Sequence, residues 1–178
     1  MHETPDDIRF LQEVLDASYA AAGRHLRSIT TPERRVGAEE LVQRLTGMCL
    51  LVVATVSADG RPIAGPLDGI FYRGAFHFGT SRDSVRYRHL QARPHVSATH
   101  VPSEEFAVTV HGRAVPIDVH APELRGLRET LFEVYGPRYG HEDWERFLEG
   151  GEDPAKAPVY TMIEPRRMFT FSMGSSAP

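Results

Sequence analysis

The chain has 178 residues, a net charge of -4, and 41% hydrophobic against 25% charged residues, the composition of one ordinary globular domain. A fold of this length buries about 70% of the surface its unfolded chain exposes, so disorder, collagen and a disulfide scaffold are excluded. Of the 20 basic residues only Lys156 is lysine, and 24 acids outweigh them, which argues against nucleic acid as a partner because affinity for polyanions comes largely from Lys and Arg.

Asp6 and Asp7 open a stretch in which Ile8, Leu11, Leu15, Ala22 and Leu26 recur at helical intervals, and the period predicts one long helix over residues 6–28. After the polar TTPERR, Leu41, Val42 and Leu45 mark a shorter helix ended by Gly47. From Met48 the pattern changes to strands. MCLLVVATVSADG is rich in β-branched residues, and its Asp-Gly turn leads into RPIAGPLDGIFYRG, which a second turn at Arg73-Gly74 joins to AFHFGTS. RDSVRYRHLQARP is too polar on alternate positions for a strand and predicts a short helix stopping before Pro94, with Val85 and Leu90 as core contacts. HVSATHV and EEFAVTVHGRAVPID resume a period of two, the second placing Phe106, Val108 and Val110 on one face. Pro122 suits the first turn of a helix carrying Leu124, Leu127, Leu131 and Val134. HEDWERFLEG adds a helix expected to bury Trp144, Phe147 and Leu148. Beyond the polar GGEDPAKA, the segments PVYTMIEP and RRMFTFSM read as two closing strands.

Strands interrupted by helices without βαβ alternation predict a mainly β, α+β fold, an antiparallel six- to seven-stranded barrel with flanking helices. Closure of the barrel removes exposed strand edges. Cys49 is the only cysteine and lies in an apolar run, which excludes an intrachain disulfide and fits a reducing compartment. The longest apolar stretch, Met48 to Val56, falls far short of the roughly 20 residues that span a bilayer, so a cytoplasmic protein with no membrane partner is expected.

The stretch Phe78-Gly79-Thr80-Ser81-Arg82-Asp83-Ser84-Val85-Arg86 carries the most chemistry. A strand ends in a glycine that lets backbone approach a ligand. Hydroxyls at Thr80, Ser81 and Ser84 surround a helix start, with Arg82, Arg86 and Arg88 in its first two turns. Free N–H groups, hydroxyls and guanidinium groups all donate to oxygen, and the helix dipole favours negative charge, so the stretch fits a phosphate. The competing reading is purely structural: Ser81 or Asp83 caps the helix and the arginines are solvated.

Taken together, Thr55, Asp59-Gly60-Arg61-Pro62, Gly79-Thr80, Ser84-Val85-Arg86, Leu90 and Pro94 resemble, in order and spacing, the flavin-binding split-barrel family typified by pyridoxamine 5'-phosphate oxidase. The resemblance covers roughly residues 48–118 and, more weakly, 158–173. It divides the chain into an N-terminal helical extension, 1–37, and an FMN-binding split-barrel domain, 38–178, within one compact unit. It implies a flavin (FMN)-dependent oxidoreductase acting on a small molecule, as a homodimer with the cofactor at the subunit interface. A deazaflavin (8-hydroxy-5-deazaflavin) reductase and a non-catalytic flavin- or haem-binding protein are the alternatives it allows. Carried over by position, Arg86 meets the cofactor phosphate, joined by Gly79, Thr80, Ser81, Arg82 and Ser84. The strand Gly65-Pro66-Leu67-Asp68 runs along the isoalloxazine, and Arg61 is a further candidate whose alternative is a solvated turn residue. The resemblance allows Trp144 or Phe147 to reach a partner's flavin, and Arg166 and Arg167 either approach the partner's cofactor or only flank a turn.

Two departures qualify the resemblance. The vitamin-processing oxidases end in an Arg and His pair that helps hold pyridoxal phosphate, whereas no histidine follows His141 here, so pyridoxamine phosphate is not the expected substrate. The long N-terminal helix also lies outside the pattern and is expected to brace the core or a dimer. The nine histidines form no HExxH or close Cys/His cluster, which predicts no metal site. Alternation puts His95 and His100 on opposite faces of one strand, and sets His77 opposite Phe76 and Phe78, where it could face an interface. No GxSxG elbow or strand-GxGxxG-helix unit is present, and no single catalytic residue stands out.

Overall fold

The computed structural model describes residues 2–173. Six strands close into one antiparallel barrel in the order β1-β2-β3-β6-β5-β4. They are β1 (Met48–Val56), β2 (Pro62–Tyr72), β3 (Ala75–Thr80), β4 (His95–Ser103), β5 (Phe106–Ile117) and β6 (Val159–Ser172). The helices are α1 (Pro5–Ala20), α2 (Arg24–Ile29), α3 (Ala38–Arg44), α4 (Val85–Ala92), α5 (Arg125–Tyr139) and α6 (His141–Leu148). The expected meander forms the first three strands, with β1 paired to β2 from Met48 opposite Ile70 to Val56 opposite Pro62. The chain reverses at Gly60 and at Arg73-Gly74, where positive φ angles suit glycine and strain only Arg73.

Strand alternation sorts the side chains into two cores. Cys49, Leu51 and Val53 of β1 point into the barrel with Phe76, Phe78, Val108, Val110, Ile163 and Met168. On the outer surface α5 and α6 cover one end of the sheet, burying Ile70 and Tyr160 beneath Leu127, Leu131, Tyr135, Trp144 and Leu148. The N-terminal helix braces the first of these cores. Leu11, Leu15 and Tyr19 of α1 belong to the barrel's own core cluster. Ser18 Oγ accepts the Met168 N–H at 2.9 Å, and the Tyr19 hydroxyl accepts the Thr170 N–H at 2.9 Å while donating to the Thr170 carbonyl at 3.0 Å. Among the described residues no helix is long and apolar enough to cross a membrane.

Several expectations are corrected. The single helix over 6–28 is two, α1 and α2, because Gly23 is extended (ψ 160) and α2 buries no side chain that would reward continuity. The two closing strands are one strand, β6. Its register steps from Arg167 opposite His111 to Pro165 opposite Gly112, so Arg166 is the extra residue of a bulge that absorbs the proline. Gly112 permits that bulge, since a Cβ there would stand 2.1 Å from the Glu164 carbonyl oxygen. Val85 and Phe147 are each 51% exposed rather than buried, because α4 buries only Leu90 and the two-turn α6 buries Trp144 and Leu148.

Candidate functional site

Between the end of β3 and the start of α4 the chain makes a hydroxyl-rich turn. Ser84 is the N-cap of α4: its Oγ accepts the Tyr87 N–H at 3.0 Å and lies 2.9 Å from Thr80 Oγ1. Ser81 Oγ accepts the Asp83 N–H at 3.2 Å. The cap is therefore Ser84, not Ser81 or Asp83, because the extended backbone that an N-cap requires falls at residue 84. Arg82 precedes the helix and is exposed, and Arg88 donates from Nη1 to the Asp83 carbonyl at 2.9 Å.

Arg86 stands apart from these neighbours. It is half-buried, burial lowers its pKa from the usual arginine value, and among the described residues it has neither an ion-pair nor a hydrogen-bond partner. Its Nη2 lies 3.2 Å from where a Cβ on Gly65 would stand, so the guanidinium rests against the β2 backbone in space that any side chain at 65 would fill. β2 pairs with β3 only from Gly69 onward, so among the described residues the edge of 62–68 facing away from β1 has no strand partner. An unpaired cation thus adjoins an open run of backbone donors and acceptors. A desolvated guanidinium in need of an acceptor fits a phosphate.

A cavity of about 650 Å³ continues from this edge. Its sheet side includes Asp68, Gly79, Thr80 and Ser81, and its other wall is aromatic, from Tyr135, Tyr139, Trp144 and Phe147. The rings of Tyr135 and Trp144 stack with centroids 4.5 Å apart and an interplanar angle of 24°. Burial first, and the Asp68 charge second, push the Tyr135 phenol above its ordinary pKa, so it stays protonated at neutral pH. His77 borders the cavity too, but it is buried beneath α5 rather than presented to an interface. Burial lowers its pKa to about 4, leaving a neutral ring whose Nδ1 lies 3.1 Å from the Ala75 carbonyl.

The remaining candidates are dispersed. Arg61 sits on the β1–β2 turn and pairs with Asp59 at 2.7 Å, both exposed. Pro66 is exposed on β2, while Leu67 packs partly against the barrel core. Arg166 and Arg167 border a separate groove beside His111 at the β6 bulge. Among the described residues no group of three or more His, Cys, Asp or Glu side chains could hold a metal ion. Tyr135, Tyr139 and Tyr160, and the side chain of Asp68, are absent from the sequence expectations. The one available signal was the spacing of Tyr135 and Tyr139, four apart on a helix and hence on one face.

A family model described as Pyridoxamine 5'-phosphate oxidase matches residues 38–169. No curated protein matches the sequence. Among solved structures, a conserved hypothetical protein from Mycobacterium tuberculosis is similar at 17% identity and a TM-score of 0.61, covering 79% of this chain and 88% of that one. The haem storage protein HutZ from Vibrio cholerae aligns at 18% identity and a TM-score of 0.54, over 75% of this chain and 90% of its own. An FAD-binding protein from Mesorhizobium loti aligns at 19% identity and a TM-score of 0.54, over 77% and 93%. At these identities the likeness is one of fold.

Proposed function

The chain belongs to the pyridoxamine 5'-phosphate oxidase family, and from that premise we propose that it is an FMN-dependent oxidoreductase acting on a small molecule other than pyridoxamine phosphate. The observation that carries this reading is Arg86, a half-buried guanidinium without a partner among the described residues, set against the open edge of β2. Arg86 would hold the cofactor phosphate with help from the Thr80 and Ser81 hydroxyls, and the backbone of Gly65 to Asp68 would address the ring edge. When bound, the flavin supplies the hydride or electron transfer, so the protein needs no triad of its own. The protein's part is to bind and orient it and to offer an aromatic cavity beside it.

A deazaflavin also presents a phosphate, and Arg86 would serve it equally. For haem, the imidazole at the cavity, His77, is buried, and the exposed Tyr139 phenol is the accessible axial donor there. The absorbance spectrum of freshly purified protein tests these readings: flavin bands support the proposal, and a Soret band replaces it with haem binding. If the spectrum is blank, titration with FMN and with the deazaflavin follows, and affinity no better than micromolar for both overturns the redox reading.

The proposed site is shared between two copies. Outside the patch that α5 and α6 cover, Leu50, Val52 and Val101 are each about half exposed or more (54%, 49% and 57%) on the outward side of adjacent strands β1 and β4. Exposed apolar side chains clustered on adjacent strands fit an interaction surface, and Leu50 and Val52 stand opposite Asp68 and Pro66 of β2. Light scattering tests this, because a strict monomer cannot form a shared site.

A further inference from the structure

We infer that the cavity beside β2 selects an organic cation with a flat apolar body, such as a protonated arylalkylamine, and that Asp68 is the group that selects it. The inference deepens the proposed function, and takes from it only that this cavity is where substrate meets cofactor. Three carboxylate or ammonium side chains border the cavity, and two are already matched. Asp143 accepts from Arg146 Nη1 at 2.9 Å, and Lys156 Nζ lies 4.0 Å from Asp153. Asp68 is different: it is half-buried, and among the described residues it has no ion-pair or hydrogen-bond partner.

The surroundings sharpen the preference. A half-buried carboxylate left unpaired favours a ligand that brings a positive charge or donors. Facing it is the ring wall of Tyr135, Trp144 and Tyr139, whose planes lie within 24° of one another, with Phe147 beside Trp144 at 5.2 Å. Aromatic faces attract cations through their quadrupoles and pack flat apolar bodies, so the wall and the carboxylate favour the same ligand. An anionic ligand would meet Asp68 uncompensated. Among the described residues the one lysine or arginine lining the cavity is Lys156, which is exposed and beside Asp153.

The chain offers its own reporter, since Trp144 is its single tryptophan and forms part of the wall. The protein is titrated with 2-phenylethylamine, 2-phenylethanol and 3-phenylpropionate, following Trp144 fluorescence and confirming by calorimetry, with and without added FMN. The amine should bind at least tenfold more tightly than the neutral and anionic probes. Asp68→Asn, which keeps shape and removes charge, should abolish that margin while leaving 2-phenylethanol within twofold, and thermal melting checks that the variant is folded. Equal binding of all three probes, preference for the carboxylate, or an amine margin that survives in Asp68→Asn overturns the inference. Failure of the flavin reading looks different: FMN does not bind, yet the amine preference and its loss in the variant persist.

Discussion

Replacing Arg86 with alanine should weaken FMN binding and leave the fold intact. The guanidinium has no protein partner to orphan among the described residues, and its position against Gly65 commits it to whatever anion occupies that edge. A hydrogen bond to a charged group contributes about 1.5–3 kcal/mol, and 1.4 kcal/mol is a factor of ten, so affinity should fall roughly 10- to 150-fold. Stability should change by no more than about 1 kcal/mol, because a half-buried unpaired charge is lost along with some packing of its aliphatic stem. Arg86→Lys keeps the charge without the bidentate fork and should fall between. Gly65→Ala should also weaken binding, since its Cβ would stand 3.2 Å from Nη2 and force the guanidinium to shift. Arg88→Ala is the control, because Arg88 is occupied by the Asp83 carbonyl. The assay is quenching of flavin fluorescence during titration, with urea denaturation for stability. Affinity within twofold of wild type in Arg86→Ala, or an equal loss in Arg88→Ala, would refute the assignment of the phosphate to Arg86.

Four further outcomes follow from the geometry. Tyr19→Phe removes a buried hydroxyl that both accepts from and donates to the Thr170 backbone, and should cost about 1–3 kcal/mol in urea denaturation. Gly112→Ala would force a Cβ to within 2.1 Å of the Glu164 carbonyl oxygen, and should destabilise by more than about 2 kcal/mol or prevent soluble expression. His77 binds its proton at about pH 4 in the fold against 6.5 as its ordinary value, so between those limits the unfolded chain holds more protons than the native one. Its contribution is complete above pH 6.5 and is lost as pH falls toward 4, at most about 3 kcal/mol, and His77→Phe should flatten the fall in urea midpoint between pH 7 and pH 5. Leu50→Asp should turn a dimer into monomers by light scattering and reduce FMN affinity with it, and a variant that stays dimeric would move the interface off this face.

The strands were legible because alternation in a half-buried sheet is a local signal: residues 48–56 read the same in sequence and in the barrel. The errors arose where a local signal met a longer-range constraint. Pro165 reads as a strand end, yet β5 runs on opposite it and the bulge at Arg166 keeps the ladder whole. Trp144, Phe147 and Leu148 read as one buried face, but α6 is two turns long and its contact with the outer core reaches only the first and last of them. The arginine at the start of α4 was visible in its spacing from Thr80 and Ser84. Its contact with Gly65 was not, because strand β2 and helix α4 meet only through the closure of the barrel. The cavity wall was invisible for the same reason, being assembled from β2, β3, α5 and α6.

The two faces of the barrel wall explain why the fold alone leaves the ligand open. Inward residues must fill a closed space of fixed size, so they are constrained to apolar side chains whatever the protein does. Outward residues meet three different surroundings here: helices α5 and α6 at one end, the cavity at their margin, and exposed positions such as Leu50 and Val52 beyond. Asp68 sits at the junction of all three, opposite exposed Leu50 in register and one residue from Gly69, where β2 begins to pair with β3. A substitution at 68 is therefore nearly free for the barrel core, and on the proposed reading it changes what approaches from outside. A shared barrel therefore does not fix a ligand, since residues that hold the fold together alternate along the same strands with residues that face outward.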